Sequence, residues 1–218
     1  SLAHYGVLFL DEFPEFRKDT LEALRQPIED GFVTITRASA RSTYPAQFML
    51  VAAMNPCPCG NYGSRITPCR CTAQQIQRYR NRISGPMLDR IDIHVEMGEV
   101  GYNDIAGRSC GEPSSAIRAR VNAARAIQTR RYAGMGILFN AQLTNRMMNQ
   151  YCVLTSDAES LMKKAFAALK LSARAYTRLL KESRTIADLA GSEQIKAEHI
   201  AEAIQYRSLE SKYWGEIN

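Results

Sequence analysis

The chain has 218 residues and 24.4 kDa, room for one large domain or a domain with a smaller companion. Hydrophobic residues make up 45% and charged residues 23%, which excludes a disordered polymer because enough apolar surface exists to offset ordering entropy. The net charge is +6; the longest apolar stretches, Val7–Leu10 and Phe48–Met54, fall far short of the roughly 18 residues of a membrane span, and no basic segment followed by an apolar one opens the chain. A cytoplasmic protein with no membrane partner is expected.

Gly6-Val7-Leu8-Phe9-Leu10 is a short continuous apolar run and reads as a fully buried strand of a parallel sheet, ending in Asp11-Glu12. Lys18 to Ile28 follows a helical pattern, with Leu21, Leu24 and Ile28 on one face, and Asp30-Gly31 signals a turn. Phe32–Thr36 and Ser42–Tyr44 are β-prone and flank Arg37–Arg41, which predicts a hairpin with an arginine-bearing tip. Phe48–Ala53 reads as a second buried strand ending at Asn55-Pro56. A cysteine-rich loop covers Cys57 to Cys71, and Thr72 caps a helix running to about Ile83. Pro86–Asp89 is a short helical turn. Ile91, Ile93, Val95 and Met97 alternate with Asp92, His94 and Glu96, the pattern of a third strand.

Gly98 to Pro113 is a glycine-containing connection, so a domain of residues 1–97 is expected before one of residues 98–218. The latter reads as helical throughout: Ser114–Arg131, about Ala141–Tyr151, Asp157–Lys170 behind a capping box at Ser156–Glu159, Ser172–Ala190 stopped at Gly191, and Ala197–Tyr206. No internal repeat or low-complexity tract appears.

The positive charge is concentrated. Gly31 to Leu88 contains no Asp, Glu or Lys but seven arginines: Arg37, Arg41, Arg65, Arg70, Arg78, Arg80 and Arg82. Pro113 to Ser156 repeats this with Arg118, Arg120, Arg125, Arg130, Arg131 and Arg146. Arginine presents a planar fork of donors that fits phosphate, so both segments suit a nucleic acid or nucleotide; the alternative is solvated surface, or arginine paired with acids elsewhere. Arg174, Arg178 and Lys181 follow at one-face helical spacing, a basic surface suited to phosphate. Cys57, Cys59, Cys69 and Cys71 cluster, whereas Cys110 and Cys152 stand alone. Two Cys-x-Cys pairs can supply four thiolates to a structural Zn²⁺; reduced thiols in a turn-rich loop and a redox function are the other readings. His4, His94 and His199 form no cluster.

Ligands of open α/β sheets gather outside the carboxyl ends of strands. A carboxylate directly after an apolar strand can hold Mg²⁺ through water, its neighbour can orient an attacking water, and an amide at the next strand end can contact a γ-phosphate. The order of these features is specific. Gly6–Phe16, Leu21–Gly31, Ala53–Gly60, Ser84–Asp92, Ser172–Tyr176 and Arg184–Leu189 together make the sequence resemble the magnesium-chelatase-like AAA+ ATPases of the bacterial competence-associated ComM/YifB type, over nearly its whole length. The resemblance implies a partial α/β AAA+ core lacking the P-loop part, with a pre-sensor-1 β-hairpin at Phe32–Tyr44, followed by an α-helical lid domain. It implies Asp11 as the Mg²⁺-holding Walker B residue and Glu12 as the catalytic carboxylate. It further implies Asn55 as sensor 1, Arg90 as an arginine finger reaching a neighbouring subunit's ATP, and Arg174 as sensor 2. Arg37 and Arg41 at the hairpin tip are then candidate DNA contacts.

An arginine finger works only with ATP between subunits, so a homo-oligomer, in this family a hexamer, is implied. The phosphate loop Gly-x4-Gly-Lys-Ser/Thr is absent, and no glycine here precedes a lysine. The expectation is therefore the carboxyl-terminal part of a longer ATPase with ATP and Mg²⁺ as cofactors and single-stranded or branched DNA as partner, this part being inactive alone. Two other readings remain: an ATPase acting on a protein or metal-insertion client, and a non-enzymatic zinc-stabilised nucleic-acid-binding module.

Overall fold

A computed structural model of the chain describes residues 1–37, 40–100, 106 and 111–214, of which 208–214 are described as helix backbone. Cys110 and the hairpin tip residues Ala38 and Ser39 lie outside them. The chain divides into two compact units, built on Ser1–Ile91 and on Asp92–Leu209.

In the first unit, β1 (Val7–Leu10) and β4 (Met49–Ala52) pair in parallel, with Val7 opposite Met49 and Leu10 opposite Ala52. Leu10 and Leu50 pack onto a core of Phe13, Leu21, Ile83, Met87 and Leu88. The other face is bare: Val7 and Phe9 are each 58% exposed and Met49 65%. The expected full burial of both strands is thus corrected to burial on one face. Among the described residues, packing elements cover only that side of the two-stranded sheet, whereas a parallel strand is fully buried when layers cover both.

The helix expected over Lys18–Ile28 breaks at Leu24 into α1 (Lys18–Ala23) and α2 (Arg25–Asp30). Pro27 has no N–H to return to the Ala23 carbonyl, so one continuous ladder cannot form, while Pro27 is tolerated in the first turn of a new helix. Gly31 ends α2 with φ of 74° and donates its N–H to the Pro27 carbonyl at 3.0 Å. The hairpin forms from β2 (Phe32–Arg37) and β3 (Ala40–Pro45), antiparallel and in register from Phe32 opposite Pro45 to Arg37 opposite Ala40. Its strands run farther toward the tip than their β-prone cores suggested. α3 (Ala73–Arg80) starts at Thr72 in a reciprocal capping box: the Gln75 amide donates to Thr72 Oγ1 at 3.2 Å, and the Thr72 amide to Gln75 Oε1 at 2.8 Å. α4 (Gly85–Leu88) is capped by Ser84.

The third strand expected over Ile91–Met97 is not formed. Ile93, Val95 and Met97 are exposed, and the segment has no ladder partner among the described residues; the His94 amide bonds the Tyr206 carbonyl at 2.9 Å. A strand exists through its pairing, and alternating apolar residues cannot supply a neighbour.

The second unit holds α5 (Ser114–Arg131), α6 (Asn145–Tyr151), α7 (Ser156–Ala168), α8 (Ala173–Leu189) and α9 (Ala197–Trp214). Thr144, Thr155 and Ser172 cap α6, α7 and α8 with side-chain oxygens. The cap of α7 is Thr155 rather than the expected Ser156, because Thr155 is the extended residue whose hydroxyl meets the Ala158 amide. The core is Tyr132, Leu143, Met148, Met162, Leu179, Ile195 and Ile200. At its centre lies a buried polar network. Asp188 accepts two bonds from Arg131 at 2.8 and 2.5 Å, one from Arg184 Nε at 3.1 Å and one from Asn140 Nδ2 at 2.9 Å. Arg184 also donates to the carbonyls of Glu193 and Ser192, and Tyr132 Oη to Asn140 Oδ1. Burial pushes the Asp188 carboxyl up, but the bonds from Arg131 and Asn140 and the charges of Arg184 and Arg131 outweigh it and hold the group below its usual range.

Candidate functional site

Because β1 and β4 are parallel neighbours, their carboxyl ends lie side by side, with Asp11 and Glu12 directly after β1 and Asn55 three residues after β4. Two backbone bonds of 2.9 Å bracket the pair: Ala53 N–H to the Leu10 carbonyl and Phe13 N–H to the Ala53 carbonyl. Both carboxylates are exposed. Asp11 Oδ1 accepts the Glu12 amide at 2.8 Å, and Glu12 has φ of 49° and ψ of 45°, a left-handed conformation that costs a residue with a Cβ about 1–2 kcal/mol. Strain of this kind survives where surroundings over-determine it, and it clusters at functional sites. Here the two bracketing bonds fix the residues on either side. Two adjacent exposed carboxylates form a hard-oxygen donor set that fits a hydrated divalent cation such as Mg²⁺.

Asn55 is exposed at the end of β4, with Gly60 beside its side chain and buried Tyr79 of α3 against its backbone amide. Arg90 follows α4 in the same unit. Its guanidinium is only 9% exposed: Nε and Nη2 both donate to Glu29 Oε2, the former at 3.1 Å, and Nη1 donates to the Pro86 carbonyl at 2.5 Å. Arg174 lies on the first turn of α8 in the second unit and is exposed. The structure therefore places Asp11, Glu12 and Asn55 just beyond the adjacent carboxyl ends of β1 and β4, Arg90 in the same unit on Glu29, and Arg174 in the other unit.

The basic face expected around Arg174 is mostly occupied. Arg178 faces Asp92 at 3.2 Å, and half-buried Lys181 donates Nζ to the Ala141 carbonyl at 2.9 Å. Desolvation lowers the Lys181 pKa. The acid-free arginine stretches are likewise divided. Arg80 is buried and donates Nε and Nη2 to the Pro56 carbonyl, both at 3.3 Å; Arg82 pairs with Glu15 and Arg131 with Asp188. Arg37 and Arg41 are exposed beside the hairpin tip. Arg37 pairs with Ala40 and Arg41 with Thr36, so the register sends the two guanidiniums to opposite faces of the ribbon. An open groove of about 700 Å³ runs between Pro14–Lys18 and α3, flanked by Arg17, Lys18, Arg78 and Arg82.

Cys57, Cys59, Cys69 and Cys71 converge, every sulfur within 4.8 Å of the others, a cluster able to hold a metal ion. Backbone N–H groups of Arg70 and Asn61 directed at the Cys59 sulfur draw that thiol down to about 6, while desolvation and the neighbouring Cys59 sulfur push Cys71 up to about 12. Cys152 is buried in the helical core, which pushes its thiol up to about 11 and makes it inert.

Glu29 and Tyr79 gave no signal of a site role in the sequence, and Arg80, expected on a phosphate-binding surface, is instead buried against a backbone carbonyl. Glu29 meets Arg90 across 61 positions and Arg80 reaches Pro56 across 24, separations that no local pattern encodes.

The model for "Magnesium chelatase, subunit ChlI" matches residues 1–105, and that for "Magnesium chelatase, subunit ChlI C-terminal" matches residues 111–207. The chain is 47% identical over 210 residues to competence protein ComM of Haemophilus influenzae and 45% identical over 211 residues to uncharacterized protein YifB of Salmonella typhimurium. Each alignment covers 96% of this chain and 40% of the relative. A more distant match, 23% identical over 214 residues (94% of this chain, 24% of the relative), is to the zygotic DNA replication licensing factor mcm6-A of Xenopus laevis. The chain belongs to the magnesium-chelatase-like family, ComM/YifB type, and spans about 40% of the length of the curated relatives it matches. Its mixed α/β unit and helical unit correspond to a partial AAA+ fold with a helical carboxyl-terminal domain. No helix among the described residues is long and apolar enough to cross a membrane.

Proposed function

We propose that the chain is the carboxyl-terminal part of a hexameric cytoplasmic AAA+ ATPase that couples ATP hydrolysis to DNA translocation or branch migration. The observation that supports this reading is the parallel pairing of β1 and β4, whose adjacent carboxyl ends lead into Asp11-Glu12 and toward Asn55. Asp11 holds Mg²⁺ through water, Glu12 orients the attacking water and takes its proton, and Asn55 senses the γ-phosphate. Arg90 serves a neighbouring subunit's ATP once assembly draws it from Glu29, and Arg174 contributes from the helical lid. The β2–β3 hairpin is the pre-sensor-1 element, with Arg37 and Arg41 on DNA phosphates. The names of the relatives, a competence protein and a replication licensing factor, favour DNA as the client over the metal-insertion client that the chelatase models suggest.

The test is ATP hydrolysis by the full-length protein, with and without single-stranded and four-way-junction DNA. Stimulation by DNA that disappears in Glu12→Gln is expected. Glu12-dependent turnover indifferent to both DNAs would transfer the reading to a protein or metal-insertion client. Turnover that survives Glu12→Gln would remove the assignment of the catalytic carboxylate.

A further inference from the structure

We propose that Cys57, Cys59, Cys69 and Cys71 bind one zinc ion as four thiolates, and that this ion clamps the loop joining Asn55 to α3. The proposal stands independently of the ATPase reading.

The sulfur geometry fits a single tetrahedral ion. Cys57 and Cys59 sulfurs are 3.4 Å apart, Cys57 and Cys69 3.7 Å, and Cys59 and Cys69 3.6 Å. A tetrahedron with Zn–S bonds of about 2.3 Å has edges of about 3.8 Å. A disulfide would need about 2.05 Å, and all four cysteines are free. Sulfurs confined within 4.8 Å surround one ion and leave no room for the several irons and bridging sulfides of an iron–sulfur cluster. An all-thiolate donor set rejects the hard cations Mg²⁺ and Ca²⁺.

The surroundings complete such a site. Gly60 takes φ of 80° and donates its N–H to the Cys57 carbonyl at 3.0 Å, bending the chain so that Cys57 and Cys59 turn toward one point. The backbone N–H groups of Arg70 and Asn61 point at the Cys59 sulfur, the usual support of a metal-bound thiolate.

The loop has almost no apolar core, and local turns at Gly60 and Ser64 with the Arg80–Tyr62 contact are its other organising interactions. Cys57 is the only buried residue between positions 57 and 71, and Ile66 is 74% exposed. A segment without an apolar core needs a staple, and a metal bound by four side chains supplies one. Both ends of the loop are anchored. Arg80 grips the Pro56 carbonyl beside Asn55, with its guanidinium 4.7 Å from the Tyr62 ring centre, and Thr72 opens α3 directly after Cys71. Closing the sulfurs around an ion therefore fixes the path from Asn55 to α3.

The experiment uses the full-length protein purified without chelator. Plasma mass spectrometry should find one zinc per chain, and titration with a mercurial should release it after four thiols react. Releasing the metal from the wild-type protein should make trypsin cleavage after Arg65 and Arg70 at least tenfold faster. Cys69→Ser/Cys71→Ser should bind no zinc; because that variant can misfold, the mercurial titration of the wild type provides the second reading. Iron in place of zinc, less than a tenth of an equivalent of metal with four titratable thiols, or zinc retained in the double variant would overturn the site. Equal cleavage with and without metal would overturn the clamp.

Discussion

Asp188→Ala should be among the most damaging single substitutions in the helical unit. The Asp188 side chain is fully buried, and it is the counter-charge of Arg184, 1% exposed, and Arg131, 16% exposed. Removing it leaves two guanidiniums facing each other across a cavity, and Asn140 Nδ2 retains only Thr185 Oγ1. Arg184 cannot escape, because Glu193 and Ser192 carbonyls hold its other nitrogens inside the core. Breaking a buried pair by deleting one partner costs about 3–5 kcal/mol. At about 2–4 °C per kcal/mol for a chain of this size, the melting temperature should fall by about 6–20 °C. Asp188→Asn keeps the volume and one acceptor, so it isolates the charge and should lose more than half as much. Urea titration followed by circular dichroism measures both. A loss below about 1 kcal/mol for Asp188→Ala would refute the reasoning, since it would mean that Arg184 and Arg131 find other partners or solvent at no cost. The same carboxyl carries a pH signature. Its folded pKa lies below the unfolded value of about 3.9, so its contribution is present above pH 4 and is lost as pH falls through the folded pKa. Acid unfolding of Asp188→Asn should therefore be less steep below pH 4.

Other consequences are smaller and separable. Glu182 is half-buried, and burial with the nearby charge of Asp92 pushes its carboxyl up to about 7 against the pull of Arg207 and Arg178. A raised carboxyl favours the protonated folded state, so its contribution is present below about pH 4 and is lost as pH rises to 7; stability of Glu182→Gln between pH 5 and 7 should be flatter than wild type. Gly31→Ala places a Cβ 3.0 Å from Gln47 Cγ at φ of 74° and should cost about 1–2 kcal/mol in the same urea titration. Thr72→Ala removes one half of the capping box of α3 and should cost about 1 kcal/mol, whereas Thr72→Ser should be near neutral.

Elements governed by short-range rules were legible from the sequence. Apolar runs located β1 and β4, the β-prone segments located the hairpin, and Thr72 and Ser172 marked helix starts because a cap bonds an amide two or three residues away. Asp11, Glu12 and Asn55 were legible as a set because their order along the chain is specific to a family. Cys57, Cys59, Cys69 and Cys71 were legible as possible ligands, since metal spacing is a local pattern. What only the tertiary structure decided depends on partners far along the chain. The alternation of Ile91–Met97 encodes a strand, but no neighbouring strand pairs with it, and His94 turns inward instead. Arginine in an acid-free stretch looks like a phosphate surface, yet Arg82 and Arg131 find an acid outside their own stretch and Arg80 a carbonyl 24 positions away. Local composition fixes which groups are available; which of them meet is set by packing between elements, and that is why the carboxylate pair could be read from the sequence while the Glu29–Arg90 pair and the Asp188 network could not.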